Sequence, residues 1–145
     1  ADARRLQDFA VASTHRSVYL PLVRTLVPTS LEVFDFAEQG MVTGSRDATT
    51  VATQALYLLN DPFVRRQAQA LAERLARRDG PDDDARVGRA YRLALGRPAT
   101  AAEVERAVGY LRAYESVAGA EGTRPAAWAS FCQALLASAE FRYLP

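Results

Sequence analysis

Few residues of this chain are of the types that usually carry out catalysis or bind metals. His15 is the only histidine and Cys132 the only cysteine, so histidine-based metal sites and most catalytic triads lack their components. Cys132 lies on an apolar helical stripe, where a buried thiol acts as a small hydrophobe with a raised pKa. We therefore predict no catalytic residue, no bound metal and no cofactor in this chain.

Carboxylates offer the remaining route to catalysis. Asp82, Asp83 and Asp84 are consecutive, and on a helix their side chains diverge by about 100° each, so they do not converge on one ion. A favourable interaction with the dipole at the start of a helix explains them more simply.

Asp35 and Asp47 are the only acidic pair near residues 46–63, the most patterned segment of the chain. Acid–base catalysis would need such a pair about 5 to 10 Å apart across a cleft.

Two interpretations of that region remain open. In the first, Asp35, Arg46, Asp47 and Gln54 face a cleft that upstream sequence completes, and they bind a ligand such as a carbohydrate. In the second, the polar groups are architectural, because buried amides must be hydrogen-bonded. Gln54 and Asn60 would then join Arg46 in a network that ties a loop to the helices. The second interpretation is favoured, since residues 46–63 contain no glycine, histidine or cysteine.

Composition narrows the possible partners. The 145 residues are 49% hydrophobic and 24% charged, which is typical of one soluble globular domain. All 18 basic residues are arginines, and 17 acidic residues balance their charge. We therefore expect no strong positive electrostatic field that would attract a polyanion. We predict no nucleic-acid partner. Membrane insertion is not expected either, because no apolar window approaches about 18 residues, and the chain shows no signal peptide.

The hydrophobic pattern predicts an all-α or mainly α fold, a compact bundle of about five helices with an extended N-terminal arm. Residues 1–48 are assigned to the arm and a loop, and residues 49–145 to the helical domain, all within a single folding unit. Residues 17–23 favour an extended edge segment interrupted by Pro21. A short helical turn is predicted over residues 30–36, with Ser30 as its cap.

Helix start and stop signals divide the second part of the chain. Thr50 or Thr53 can cap a helix over residues 54–59, and Asn60 ends that segment. Asp61 and Pro62 then begin a second helix as cap and first residue. The remaining signals are the acidic start at residues 82–84, the stop at Gly96, the capping box of Thr100 and Glu103, and the apolar last helix with Trp128. The core is predicted to centre on Leu56, Leu59, Phe63, Leu71, Tyr91, Leu111, Trp128, Phe131 and Leu135.

Several of these segments together resemble a known family. The segments, in order and with similar spacing, are residues 15–21, 34–36, 46–60, 91–98 with Glu103, 128–136 and 140–144. They resemble the C-terminal half of the planctomycete-type PSD family, a domain of unknown function. The resemblance extends from His15 to the end of the chain. Ala52 departs from it, standing where a proline is common, and the N-terminal half of the family domain is not represented.

The resemblance implies an origin in large exported bacterial proteins, at the periplasm or cell surface, in which this domain comes last. A second domain of unknown function and often a c-type cytochrome domain precede it there. The haem attachment motif Cys-x-x-Cys-His is absent from this chain, so no haem role carries over. We expect a non-catalytic structural or protein-interaction module that binds upstream domains or a second copy of itself. The alternative is part of a carbohydrate-active or other enzyme site completed by those domains.

Overall fold

The computed structural model describes residues 2–13, 15–20, 22–23, 27–37, 40, 42, 44–45, 49, 51–78, 82–118 and 123–143. These residues are mainly helical and include no β-strand, which confirms the mainly α prediction. The chain divides into two compact units, unit 1 at Ala1–Tyr57 and unit 2 at Leu58–Pro145. Each unit is described by itself.

Eight α-helices occur in the described part of the chain, together with a 3₁₀ turn at Ser17–Tyr19. The helices are α1 Asp2–Ala12, α2 Thr29–Glu32, α3 Ala52–Asn60, α4 Pro62–Arg78, α5 Asp83–Leu95, α6 Ala101–Ala118, α7 Thr123–Ala137 and α8 Ala139–Arg142. The predicted number of about five is therefore too low. The difference lies in α1 and α2 near the N-terminus and in the short α8 at the other end.

The extended N-terminal arm is the part of the prediction that needs most correction. Leu6, Phe9 and Ala10 recur at the spacing of one helix face, and they lie in α1. Farther along, the N–H of Tyr19 donates to the carbonyl of Arg16 at 2.9 Å, which closes the 3₁₀ turn instead of an edge strand. Pro21, the predicted interruption, lies outside the described residues.

Helix α2 begins and ends differently from the prediction. Pro28 precedes its first turn and makes no side-chain cap, and Ser30, the predicted cap, lies inside the helix. At the other end Asp35 adopts a left-handed backbone with φ of 56°. The N–H of Phe36 returns to the carbonyl of Leu31 at 3.2 Å. This is the closing pattern of a Schellman motif, in which the left-handed position is usually glycine.

Helix α3 buries only one side. Gln54 and Leu58, four residues apart, are its buried residues, and Tyr57 meets Phe34 edge to face at 5.8 Å. The prediction that Leu56 and Leu59 belong to the core is wrong, since both are exposed. A helix that packs against its neighbours on one face leaves the opposite face in solvent. Leu56 and Leu59 are therefore exposed although they are apolar.

The helices of unit 2 start and stop at side-chain and backbone signals in the sequence. Asp61 accepts the N–H of Phe63 at 2.8 Å just before Pro62 opens α4. Helix α5 ends at Gly96, whose φ of 71° suits a residue without a side chain.

The predicted capping box at the start of α6 is present. The N–H of Glu103 donates to the Thr100 hydroxyl at 3.3 Å, and the N–H of Thr100 donates to the Glu103 carboxylate at 2.7 Å.

The core of unit 2 is built around α7. Trp128 and Phe131 of this helix pack edge to face with ring centroids 5.7 Å apart. Burial raises the pKa of the Cys132 thiol to about 12, in line with the prediction of an inert cysteine. The buried residues around them come from four helices and comprise Ala68, Ala72, Leu75, Val87, Ala90, Ala107, Val108, Leu111, Ala127 and Leu135.

Three residues from the predicted centre of the core lie at its edge. Leu71 and Tyr91 are only partly buried and pack against the buried cluster, and Phe63 is partly buried as well.

Shortening Trp128 or Phe131 to alanine is expected to destabilise the protein by roughly 3 to 5 kcal/mol, because burial is lost and a cavity remains. The matched control is Leu93→Ala, in the exposed side of α5, with a cost under about 1 kcal/mol. Denaturant unfolding measures all three. Losses below about 1 kcal/mol at both aromatic positions would show that α7 is not the centre of the core.

Candidate functional site

Asp35 is the predicted site residue with the most unusual geometry. Its left-handed backbone lies just after α2, and its carboxylate accepts the N–H of Thr49 and the Thr49 hydroxyl, which lies within reach of both oxygens. The N–H of Thr49 donates to Oδ2 at 2.7 Å, and the Thr49 hydroxyl lies 2.8 Å from Oδ1 and 2.9 Å from Oδ2. Hydrogen bonds to an ionised acceptor are among the stronger ones in proteins, so this contact fixes the chain ahead of α3.

Gln54 lies beside that contact. Its side chain is buried, and its Nε2 atom is 3.5 Å from both Asp35 Oδ2 and Thr49 Oγ1. These distances are at the outer limit for a hydrogen bond, so the Thr49–Asp35 contact is the stronger part of the cluster. The structure thus brings two predicted site residues, Asp35 and Gln54, together around Thr49. Arg46 and Asp47, the other two, lie outside the described residues.

Two side chains of this region were assigned differently in the sequence analysis. Thr49, which the sequence analysis did not single out, is the partner of Asp35. Its position three residues before α3 was the available signal. Asn60 is exposed at the end of α3, so it is not a buried amide.

Another amide takes part in holding the end of α3. Gln133 of α7 donates from Nε2 to the carbonyl of Leu59 at 2.7 Å and lies 3.3 Å from that of Leu58. Carbonyls in the last turn of a helix have no partner within it, so this side chain stabilises the helix end.

The Asp35 cluster has the chemistry of an anchor. Both carboxylate oxygens accept hydrogen bonds from the chain itself, and these bonds tie the residue before α3 to the end of α2. No group of three or more histidine, cysteine, aspartate or glutamate side chains suited to a metal occurs among the residues that the structure describes. Within the same residues, no helix is both long and apolar enough to cross a bilayer.

A second polar cluster lies in unit 2 around Arg97. Its guanidinium group contacts both oxygens of Glu103, at 2.8 and 2.9 Å, and both oxygens of Glu140, at 2.5 and 2.7 Å. It also lies over the ring of Tyr91, 5.4 Å from the centroid. The two bidentate contacts join the loop after α5, the first turn of α6 and helix α8.

The Arg97 cluster keeps its carboxylates ionised. Hydrogen bonds from Arg97, followed by the N–H of Thr100, lower the pKa of Glu103 from 4.5 to about 2. Hydrogen bonds from Arg97 also lower the pKa of Glu140. Burial, with a contribution from Glu103, raises the pKa of the Tyr91 hydroxyl. Carboxylates with lowered pKa values are poor proton donors near neutral pH, so the cluster suits a structural role.

A third cluster joins three helix ends. Arg124 at the start of α7 binds both oxygens of Asp83, at 2.6 and 2.7 Å, and Oε1 of Glu115 at 2.8 Å. Hydrogen bonding to Asp83 raises the pKa of Arg124. Asp83 therefore does more than interact with the dipole of α5. It also connects that helix to α7.

Comparison with protein families identifies the family to which this chain belongs. The family model described as "Protein of unknown function (DUF1553)", PSD1, matches residues 3–111. The chain belongs to this family. The match to PSD1 includes Asp35, Thr49 and Gln54 as well as Arg97 and Glu103, and the function of this family is unknown. No curated protein and no solved structure matches the chain.

Three substitutions at Asp35 separate its backbone role from its carboxylate role. Asp35→Gly relieves the left-handed backbone but removes the acceptor, and we expect a loss of about 1 to 3 kcal/mol. Asp35→Ala also introduces backbone strain and should cost about 1 kcal/mol more, whereas Asp35→Asn should cost least. Hydrogen exchange at the Thr49 amide reports the effect directly.

The control for this series is Glu32→Gln, an exposed carboxylate in α2. It should leave exchange at Thr49 unchanged. If Asp35→Gly protects the Thr49 amide as well as the parent protein does, the carboxylate is not the anchor.

The lowered pKa of Glu103 predicts a stability effect with a definite sign. A carboxyl whose pKa is lower in the folded state stabilises that state above its unfolded pKa, and this contribution disappears as pH falls towards the folded value. The stability difference between the parent protein and Glu103→Gln should thus be constant above about pH 5 and shrink towards pH 2. Urea unfolding across this range measures it.

Glu105→Gln is the matched control, because Glu105 is exposed on the same helix. It should change stability little at any pH. A difference for Glu103→Gln that does not vary with pH, or that grows in acid, would contradict the assignment.

Proposed function

We propose that the chain is a non-catalytic protein-interaction module at the C-terminal end of a larger exported bacterial protein. Its partner is the preceding part of the same protein. The planctomycete type, the cell-surface location and the neighbouring cytochrome c domain follow from the resemblance described above and are part of the proposal. Membership of PSD1 is consistent with it, since that family has no assigned catalytic function.

One observation carries the proposal, namely a short segment with four large apolar side chains in solvent. Val18 is 78% exposed and Tyr19 72%, and Leu22 and Val23 are exposed as well. We call these four residues the apolar segment. Scattered apolar side chains are normal at a protein surface, but four within six positions are typical of a contact region. Covering them would contribute about 25 cal/mol for each Å² removed from water.

The polar residues of unit 1 support the same interpretation. The enzyme alternative depends on Asp35 with Arg46, Asp47 and Gln54. Asp35 is engaged by Thr49 through both oxygens, and Gln54 is buried beside them. Such an arrangement orders the chain around α2 and α3, while the apolar segment remains exposed. We therefore infer that unit 1 binds a partner through the apolar segment.

The test is the binding of this chain to the separately purified preceding part of its parent protein, measured by isothermal titration calorimetry. Val18→Asp should weaken binding by at least about tenfold, because a charge would be buried without a partner. Val117→Asp is the matched control. Val117 is an equally simple exposed valine, 88% accessible on α6, and its substitution should have no effect.

Three outcomes would contradict this function. They are no binding, equal effects of the two substitutions, or a stable dimer of this chain alone that Val18→Asp dissociates. The last result would replace the upstream partner with a second copy. Turnover of a carbohydrate substrate that is lost in Asp35→Asn but kept in Val18→Asp would favour the enzyme alternative.

A further inference from the structure

The last short helix ends in an arginine whose hydrogen-bond donors are not all used. Arg142, the final residue of α8, is partly buried, and its Nε and Nη1 atoms are almost inaccessible to solvent. Neither atom donates a hydrogen bond within the part of the chain that the structure describes, and Arg142 forms no ion pair there. A guanidinium group has five N–H donors, and a buried donor without an acceptor is costly. An acceptor from outside the chain would therefore be bound favourably.

Helix α8 holds this arginine in a defined position. The N–H of Phe141 donates to the Ser138 hydroxyl at 3.2 Å, and the N–H of Arg142 donates to the carbonyl of Ser138 at 3.3 Å. The two contacts of Glu140 with Arg97 attach the same helix to the loop after α5. The end of α8 is thus a fixed support, and only the long side chain of Arg142 has to adjust to a ligand.

The ring of Tyr143 positions the guanidinium group without using its donors. The Cζ atom of Arg142 lies over this ring, 4.7 Å from the centroid. All five N–H groups of an arginine point outwards in the plane of the guanidinium group, so a ring against its face leaves its edges available. Carboxylates are the natural partners of those edges, because two parallel hydrogen bonds match their geometry.

The same chain shows this arrangement in its completed form at Arg97. That guanidinium group also lies over a tyrosine ring, with Tyr91 5.4 Å away, and its edges are occupied by the carboxylates of Glu103 and Glu140. Arg142 has the ring but no carboxylate among the residues that the structure describes. The comparison identifies the missing component as a carboxylate.

An exposed aromatic side chain lies next to Arg142 in the sequence. Phe141 is 42% exposed. A single exposed apolar residue is ordinary at a protein surface, so Phe141 carries no weight alone. Arginine and aromatic residues are, however, the types that contribute most to binding at protein interfaces. Their combination at one helix end fits a polypeptide better than an inorganic anion, which has no apolar part.

We propose that the end of α8 binds an acidic segment of a partner protein. An aspartate or glutamate side chain of that segment binds the guanidinium group of Arg142, and an apolar side chain beside it contacts Phe141. The site is in unit 2 and is separate from the apolar segment, so it goes beyond the function proposed above.

The probe is an acetylated and amidated tripeptide, leucine-glutamate-leucine, titrated into the isotope-labelled full chain. Nuclear magnetic resonance follows the Nε–H signal of Arg142, which is identified by its loss in Arg142→Lys. The glutamate peptide should shift this signal and the ring signals of Phe141, with a dissociation constant of about 1 mM or tighter. The control peptide carries glutamine in place of glutamate and should shift neither.

Two matched pairs of variants locate the site. Arg142→Gln should weaken binding at least about tenfold, while Arg92→Gln, an exposed arginine in the last turn of α5, should leave it unchanged. Phe141→Ala should weaken binding less, and Leu93→Ala, similarly exposed on α5, should have no effect. Arg142→Lys keeps the charge and loses the planar fork, so an intermediate loss is expected. Amide spectra of each variant show whether it is folded.

Binding of the glutamate peptide alone, with losses confined to Arg142 and Phe141, would support the proposal. Equal shifts with both peptides, or equal losses in Arg142→Gln and Arg92→Gln, would overturn it. So would inorganic phosphate that shifts the Arg142 signal at lower concentration than the peptide, or a shift of that signal when the chain alone is concentrated. Val18→Asp should not change peptide binding, so failure here leaves the function proposed above to its own test.

Discussion

The enclosure of α7 is the constraint on which unit 2 depends. This helix contacts α4, α5, α6 and α8, and its sequence is apolar on nearly every side. A helix that is hydrophobic all round is stable only when other helices cover it. Trp128 and Phe131 are the two aromatic side chains of the buried cluster, and Ala68, Ala72 and Ala107 on α4 and α6 allow those helices to come close. The positions of the other four helices follow from this packing.

Polar contacts then fix the ends that hydrophobic packing leaves undetermined. Arg124 joins the start of α7 to Asp83 and Glu115, and Arg97 joins α8 to the start of α6. Ser138 connects α7 to α8, because its hydroxyl donates to the carbonyl of Leu135 and accepts the N–H of Phe141. In each of these places, ion pairs or hydrogen bonds hold one helix end against another. The described contacts present no obvious reactive group. Unit 1 follows the same rule at Asp35, while its apolar segment is left in solvent.

Local signals explain what the sequence predicted well. Asp61 with Pro62, Gly96, and Thr100 with Glu103 each act within a few residues, and the structure has a helix boundary at each of them. The interior of α7 was also predictable, because Trp128, Phe131 and Leu135 recur at helical spacing. Short-range chemistry is visible in a sequence without knowledge of the fold.

The remaining features depend on residues that are distant in sequence. Thr49 meets Asp35 across fourteen positions, and Arg97 meets Glu140 across forty-three, so neither pair has a local signature. Leu56 and Leu59 were misplaced because hydrophobicity alone does not say which face of a short helix is covered. Helix α1 was missed although Leu6, Phe9 and Ala10 recur at helical spacing.

We propose that this member of PSD1 acts through the apolar segment. Radical footprinting of Tyr19 tests it most directly, in the isolated chain and in the intact parent protein. We expect strong labelling in the isolated chain and protection in the parent protein, with Tyr110 on α6 as an exposed internal reference. Equal labelling of Tyr19 in both would show that nothing covers the apolar segment and would contradict the proposed contact with a partner.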